Sequence, residues 1–247
     1  MPHLITSDRI IGRFGVPTGG VNQLLPAYEL PPTHLRDALN VFPRNGILRP
    51  RPGYQEFAPQ TFTGTPTGLL AYYRGANDPV PVLATTNRLY AYDSGAWQDV
   101  TGPVFTAAVS QPARFTTISL GTPAVAYLLH SNGKDAPVQW EGSGVASPVA
   151  GGPPRWSDLC TIQDHIIGIV PPYGVQWGAI RALDTWPALQ VKQASETADP
   201  VVALRPLGQG GTAVLYKQRS YWFVNYTGAA TEAQAFSFQP VGFYDGP

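Results

Sequence analysis

Residues able to do covalent or metal chemistry are few in this chain, and they stand far apart. The four histidines, His3, His34, His130 and His165, offer no H-x-H or H-E-x-x-H ligand spacing. The single cysteine, Cys160, excludes a Cys-rich metal site and an internal disulfide framework. Cys160 and His165 are five residues apart, a spacing that sends two side chains to opposite faces of one regular strand. A Cys–His nucleophilic pair is therefore not expected, and "CTIQDHIIGIV" reads as buried strand with a polar turn at Gln163-Asp164. "GQGGTAVLY" (208–216) has the glycines of a phosphate loop but lacks the Lys-Ser/Thr ending and the following helix, so it reads as a hairpin turn. The expectation is a non-enzyme with no catalytic, metal-binding or cofactor-binding residue.

What remains is the chemistry of cations. Lys plus Arg equals Asp plus Glu at 16 each, so no overall field draws nucleic acid or an anionic membrane. Thirteen of the cations are Arg, whose planar fork favours multi-donor contacts over point charges, although a GC-rich genome gives the same bias without selection for contacts and is the preferred explanation. Residues 1–60 carry six Arg against four acids, and Arg44, Arg49 and Arg51 cluster there. Such a group can touch DNA in a channel through phosphates alone. It can equally bond carbonyls and carboxylates of a neighbouring chain, which is the preferred reading.

The elements that must position these residues are β. A chain of 247 residues with 43% hydrophobic and 13% charged residues can bury a large core. Its 26 Gly and 26 Pro, alongside 6 Trp, 12 Tyr and 10 Phe, point to turn-rich β structure. Past residue 65 the apolar runs are short and come in groups. The first is "GLLAYY", "PVLATT", "RLYAYD" and "AWQDVTG" (68–102), and the second is "RFTTISL", "AVAYLLH", "PVQWEG" and "GVASPVA" (114–150). A less regular third holds "LCTIQDHIIGIV" and "GVQWGAIRAL" (159–183), and the fourth holds "VVALRPL", "TAVLYKQ", "RSYWFVNYTG" and "FSFQPVG" (201–242). The third strands, aligned on Leu89, Val138, Val175 and Tyr221, are spaced by 49, 37 and 46 residues. That brackets the roughly 40–50 residues of a four-stranded propeller blade. One such sheet cannot cover both its faces, so copies must stack. Tyr90, Trp97, Trp140, Trp177, Tyr221 and Trp222 are then expected in the wedges between blades. A β-sandwich with irregular loops is the alternative.

The first sixty residues differ. "ELPPTHLRDALN" allows a short helix with Thr33 as N-cap, and "NVFPRNGILRP" reads as a hairpin turning at Asn45-Gly46. Pro43, Pro50 and Pro52 remove backbone donors and confine this hairpin to an edge or surface. Extended, about 40 residues reach on the order of 130 Å, the reach of an arm. The expected organisation is an extended docking arm over 1–60, with "RPGYQEFAP" as a strand closing the ring. A propeller-like domain follows over 61–247, with three readings open: a small ring, an incomplete ring continued by another chain, or a truncated sequence. "MPHLITSDRIIGRFG" has no continuous apolar run of the signal-peptide kind, and no stretch approaches the roughly 18 apolar residues of a membrane helix.

Gly19-Gly20-Val21-Asn22, Leu30-Pro31-Pro32, "LRDALN" (35–40), Gly46-Ile47-Leu48 and Arg51-Pro52-Gly53 occur in an order that resembles the N-terminal region of propeller-like neck and tail proteins of tailed bacteriophages, the tail accessory or packaged-DNA stabilisation type. "LDTWPALQ" and "VVALRPLGQGGTAVLYKQRSYWFVNYTG" with "FSFQPVG" are similar to the same family. The resemblance implies an all-β, propeller-like array of about four antiparallel blades with an extended N-terminal arm. It also implies a structural virion role, with several copies in a ring at the head–tail connector, neck or tail, made in the host cytoplasm. The partners implied are copies of the chain itself, portal, adaptor and tail tube or nozzle proteins, and packaged DNA contacted without sequence preference. The residues expected to dock the arm are Asn22, Leu30, Leu35, Asn40, Arg49, Arg51 and Gly53, with Arg44, Arg49 and Arg51 as interface or DNA-channel contacts.

"YDSGAWQDVTG" resembles the turn motif of sialidase-type propellers, less one residue of its spacing. There the motif is structural, so Asp93, Gly95 and Trp97 argue for blade architecture and not for glycoside hydrolysis. The alternative function is a carbohydrate-binding or host-recognition module of the tail tip, with Trp140, Trp177 and Trp222 stacking on sugars.

Overall fold

Short runs of alternating apolar and polar residues, broken by Gly, Pro, Asn and Asp, produce antiparallel meanders. The computed structural model describes residue 29, residues 41–44 and 47–50, and residues 57–243 except 76, 77, 153, 154, 209, 210 and 230. The chain divides into two units, Met1–Phe57 and Ala58–Pro247. In the first, β1 (Val41–Arg44) pairs antiparallel with β2 (Ile47–Pro50), Phe42 opposite Arg49 and Arg44 opposite Ile47. The turn expected at Asn45-Gly46 and the helix expected after Leu30 lie outside the described residues.

The second unit is a propeller-like array of four blades, each a four-stranded antiparallel sheet in simple chain order. Blade 1 holds β3 (Pro66–Tyr73), β4 (Pro79–Thr85), β5 (Leu89–Asp93) and β6 (Ala96–Asp99). Blade 2 holds β7 (Arg114–Leu120), β8 (Val125–Ser131), β9 (Val138–Trp140) and β10 (Ser147–Pro148). Blade 3 holds β11 (Leu159–Ile162), β12 (His165–Val170), β13 (Gly174–Trp177) and β14 (Val191–Gln193). Blade 4 holds β15 (Val201–Pro206), β16 (Thr212–Lys217), β17 (Ser220–Tyr226) and β18 (Phe236–Phe243). Two-residue turns with positive φ at both positions close two of the hairpins, Ser94-Gly95 (+52° and +86°) and Gln163-Asp164 (+47° and +59°). That is the twist a tight antiparallel hairpin needs.

Because successive side chains on a strand face opposite ways, a blade between two neighbours must be apolar on both faces. On β8, Leu128 enters the core shared with blade 1 and Leu129 the core shared with blade 3. On β12, Ile166 faces blade 2 while Ile167 and Ile169 face blade 4, which is why "HIIGIV" reads as a continuous apolar run. The terminal blades behave differently. Val80, Val82 and Ala84 of β4 are buried toward blade 2, and Ala213 and Leu215 of β16 toward blade 3, with no core on the opposite faces. Among the described residues, three cores serve four blades, and none joins blade 4 back to blade 1.

Trp140, Trp177 and Trp222 fill the wedges as expected. Trp140 lies 5.3 Å from Tyr72 of blade 1, and Trp177 lies 5.7 Å from Phe236 of blade 4. Tyr90, Trp97 and Tyr221 do not sit between blades. Tyr90 and Trp97 pack with Phe62, centroids 5.0 and 5.3 Å away, on the far side of blade 1, and Tyr221 is exposed. The faces expected for Cys160 and His165 are also corrected. They belong to two strands of one hairpin in which Ile162 opposes His165 and Cys160 opposes Ile167, so the two-residue turn returns both to the same face. In the third group "GAIRAL" is loop, and the fourth strand is β14, which lies beyond the expected run.

Candidate functional site

Of the residues expected to dock the arm, Asn22, Leu30, Leu35, Asn40, Arg51 and Gly53 lie outside the described residues. Arg49 and Arg44 occupy positions on β2 and β1. The structure describes two other features of the second unit that its sequence did not announce: the free faces of the end blades, and a charged cluster where the blades converge.

On blade 1 the register Leu69↔Leu83↔Tyr90 puts these residues on the side away from blade 2. Leu69 is 67% exposed and Tyr73 55% exposed on that side. On blade 4, Tyr216 opposes Tyr221, and the pair is 43% and 41% exposed. The Phe223 ring lies 6.3 Å from that of Tyr221. Both ends of the array thus present side chains of the types that the inner blades bury.

The first strands β3, β7, β11 and β15 run side by side through the array. Thr116 of β7 and Thr161 of β11 share a hydrogen bond of 3.0 Å. Gly68 of β3 approaches so closely that a Cβ there would meet that of Ala113 at 2.8 Å. Asp158, at the head of β11, is 1% exposed and ties blade 3 to blade 4. Its Oδ1 accepts the Leu159 amide at 3.0 Å, and its Oδ2 accepts the Leu204 amide at 3.0 Å and Nη1 of Arg205 in a short contact. Arg114 approaches from β7, its Nε 3.8 Å from Asp158 Oδ1. Positions 114, 158 and 205 are separated by 44 and 47 residues, which is the blade repeat itself. That shared phase is the signal that could have found the cluster.

None of the four groups best suited to nucleophilic or acid–base chemistry, Cys160, His130, His165 and Lys217, is set up for it. Burial pushes the Cys160 thiol up to about 12, with Asp158 adding to the effect and Arg205 opposing it. His165 donates a ring N–H to the Gly178 carbonyl at 2.9 Å. Burial pushes His130 down to about 4, and its Nδ1 faces the Arg114 carbonyl at 3.3 Å. Lys217 is buried but fully used, donating to the carbonyls of Ala194 (2.8 Å) and Thr197 (3.0 Å) beside Asp199. Among the described residues no group of three or more His, Cys, Asp or Glu is placed to hold a metal ion. Trp140, Trp177 and Trp222, the residues considered for stacking on sugars, are 4%, 3% and 1% exposed and so present no ring face to a ligand.

Comparison with known proteins adds little beyond architecture. No family model matches the chain, and no curated protein matches it. Solved structures that match include YCF48 from Cyanidioschyzon merolae, 12% identical, covering 72% of this chain and 59% of that one with a TM-score of 0.40. They also include the β-propeller domain of Cps50 (Swd1) from Myceliophteria thermophila, 6% identical, covering 75% and 73% with a TM-score of 0.38. This chain therefore spans 59% of the length of YCF48. At these scores neither likeness carries an argument about function, and the blade architecture rests on the four sheets themselves. No helix among the described residues is long and apolar enough to cross a membrane.

Proposed function

We propose that this chain is a structural virion protein of a tailed bacteriophage. Several copies form part of a ring at the head–tail connector, neck or tail that joins and seals the adjoining components. The observation that carries the reading is the exposed apolar side chains on the outer faces of the end blades, Leu69 and Tyr73 at one end and Tyr216 and Tyr221 at the other, beside Tyr90 and Val214, which are buried on those same faces. A subunit whose two ends present core-type side chains suits lateral assembly better than solitary work in solution. The order of motifs in residues 19–54 and 183–242 supports the phage assignment, and residues 1–60 are the docking arm that reaches portal, adaptor or tail partners. Within this reading Arg44, Arg49 and Arg51 bond a neighbouring chain. No enzymatic step is assigned to the chain.

Quantitative mass spectrometry of purified virions from the source system tests the proposal. The polypeptide is expected in every particle at a fixed simple ratio to the portal subunit. Its absence from particles that contain portal would remove the virion assignment.

A further inference from the structure

The first strands of the four blades border an open cleft of about 280 Å³, lined by Leu70 of blade 1, Arg114 and Phe115 of blade 2, Asp158 of blade 3, and Arg205 and Pro206 of blade 4. Its charge does not balance within the protein, because two guanidinium groups face one carboxylate. Asp158 is saturated by two backbone amides and Arg205. Arg114 only shares the charge of Asp158, since 3.8 Å is an ion-pair distance beyond hydrogen-bond reach and its buried Nε meets no acceptor in the protein. The heads of Arg114 and Arg205 remain reachable, their side chains being 33% and 44% exposed. The rest of the lining is mostly apolar, with Leu70, Phe115, Leu204 and Pro206 beside the hydroxyl of Thr116.

We propose that this cleft is a binding site for a small monocarboxylate carried on a short apolar body. A single surplus positive charge suits a monoanion better than a phosphate dianion. The planar fork of Arg114 matches the two oxygens of a carboxylate, and Asp158 holds Arg205 beside it as a second, fixed cation. The aliphatic and aromatic walls take the body of the acid. The volume lies just under the roughly 300–1,000 Å³ of sites for drug-sized ligands, so the acid is small. None of this depends on the virion reading, and a free carboxylate would bind the isolated chain.

The test is calorimetric titration of the full chain with hexanoate and benzoate, with hexanamide and inorganic phosphate as controls. Hexanoate or benzoate saturates one site, while hexanamide binds at least about tenfold more weakly because it cannot accept two charge-assisted bonds. Arg114→Gln lowers carboxylate affinity about tenfold or more with the unfolding temperature checked in parallel. If that variant fails to fold, Arg114→Lys, which keeps the charge and loses the fork, is read instead and weakens binding. Three results would each overturn the proposal: no saturable binding of either acid, phosphate binding as well as the acids, or affinity unchanged in the folded Arg114 variant.

Discussion

His130 lies between Phe105 and Phe115, ring centroids 4.9 and 5.1 Å away, in the layer that separates blade 1 from blade 2. A carbonyl can only accept, so Nδ1 carries the proton it gives to Arg114, and the ring is held neutral by burial, which brings its pKa down to about 4. An unfolded chain binds a proton near pH 6.5, whereas the fold refuses it until about 4. Stability present above pH 6.5 is therefore lost as the pH falls toward 4, by about 2 kcal/mol between pH 7 and pH 5. Asp135 works in the same direction at lower pH. Burial pushes its carboxyl up, but the Thr106 hydroxyl and amide and Asn132 bring it below the usual carboxylate range. Urea unfolding at pH 7 and pH 5 is expected to show this loss in the wild type and a flatter profile in His130→Phe. Equal slopes in the two proteins would mean that His130 is not the titrating group.

Blades, rather than strands, are the elements that decide stability, because each buries its faces only against another blade. The tightest approach lies between blade 1 and blade 2, where the Ala146 amide donates to the Val100 carbonyl at 2.7 Å and Gly102 passes beneath. A Cβ on Gly102 would stand 1.7 Å from the Ala146 carbonyl oxygen, a backbone atom that cannot step aside. Gly102→Ala is expected to cost about 3 kcal/mol, read as a lower denaturant midpoint, whereas the open turn glycine Gly144 has no such neighbour. A Gly102→Ala protein as stable as the wild type would show that the two blades are not held at this distance. The blades themselves were legible in the sequence, since period-two runs and turns such as Ser94-Gly95 follow from local chemistry. The Cys160–His165 faces were misjudged because a two-residue turn changes the parity that one strand would keep. The fourth strand of blade 3 escaped because residues 178–190 form a loop held by its own backbone bonds, among them Ala179 to Thr185 and Gln190 to Pro187. The Arg114, Asp158 and Arg205 cluster went unread although its 44- and 47-residue spacing is the blade repeat, because aromatic positions were aligned across the blades and charged ones were not.

At the scale of the whole second unit, four blades with three cores make an array whose ends differ from its middle. Core residues such as Leu129 and Ile166 are inaccessible, while Leu69, Tyr73, Tyr216 and Tyr221 expose comparable apolar area. If those faces are joints between neighbours, charges placed there should act on assembly and leave folding almost untouched. Exposed positions away from packed features usually change stability by no more than about 0.5 kcal/mol. The double variant Tyr216→Lys with Tyr221→Lys places two cations opposite each other on β16 and β17, at the hairpin end of the outer face of blade 4. It is expected to lose no more than about 1 kcal/mol of stability, because two like charges placed directly opposite repel, and to stay folded. Its incorporation into particles, measured against wild-type chain supplied in the same cells, is expected to fall at least about tenfold, because a joint would have to bury two unpaired ammonium groups. Leu129→Lys serves as the contrast, since a charge between blade 2 and blade 3 should unfold the unit outright. Normal incorporation of a stable Tyr216, Tyr221 double variant would remove this face from the assembly and leave the blade 1 face and residues 1–60 to be tested in its place.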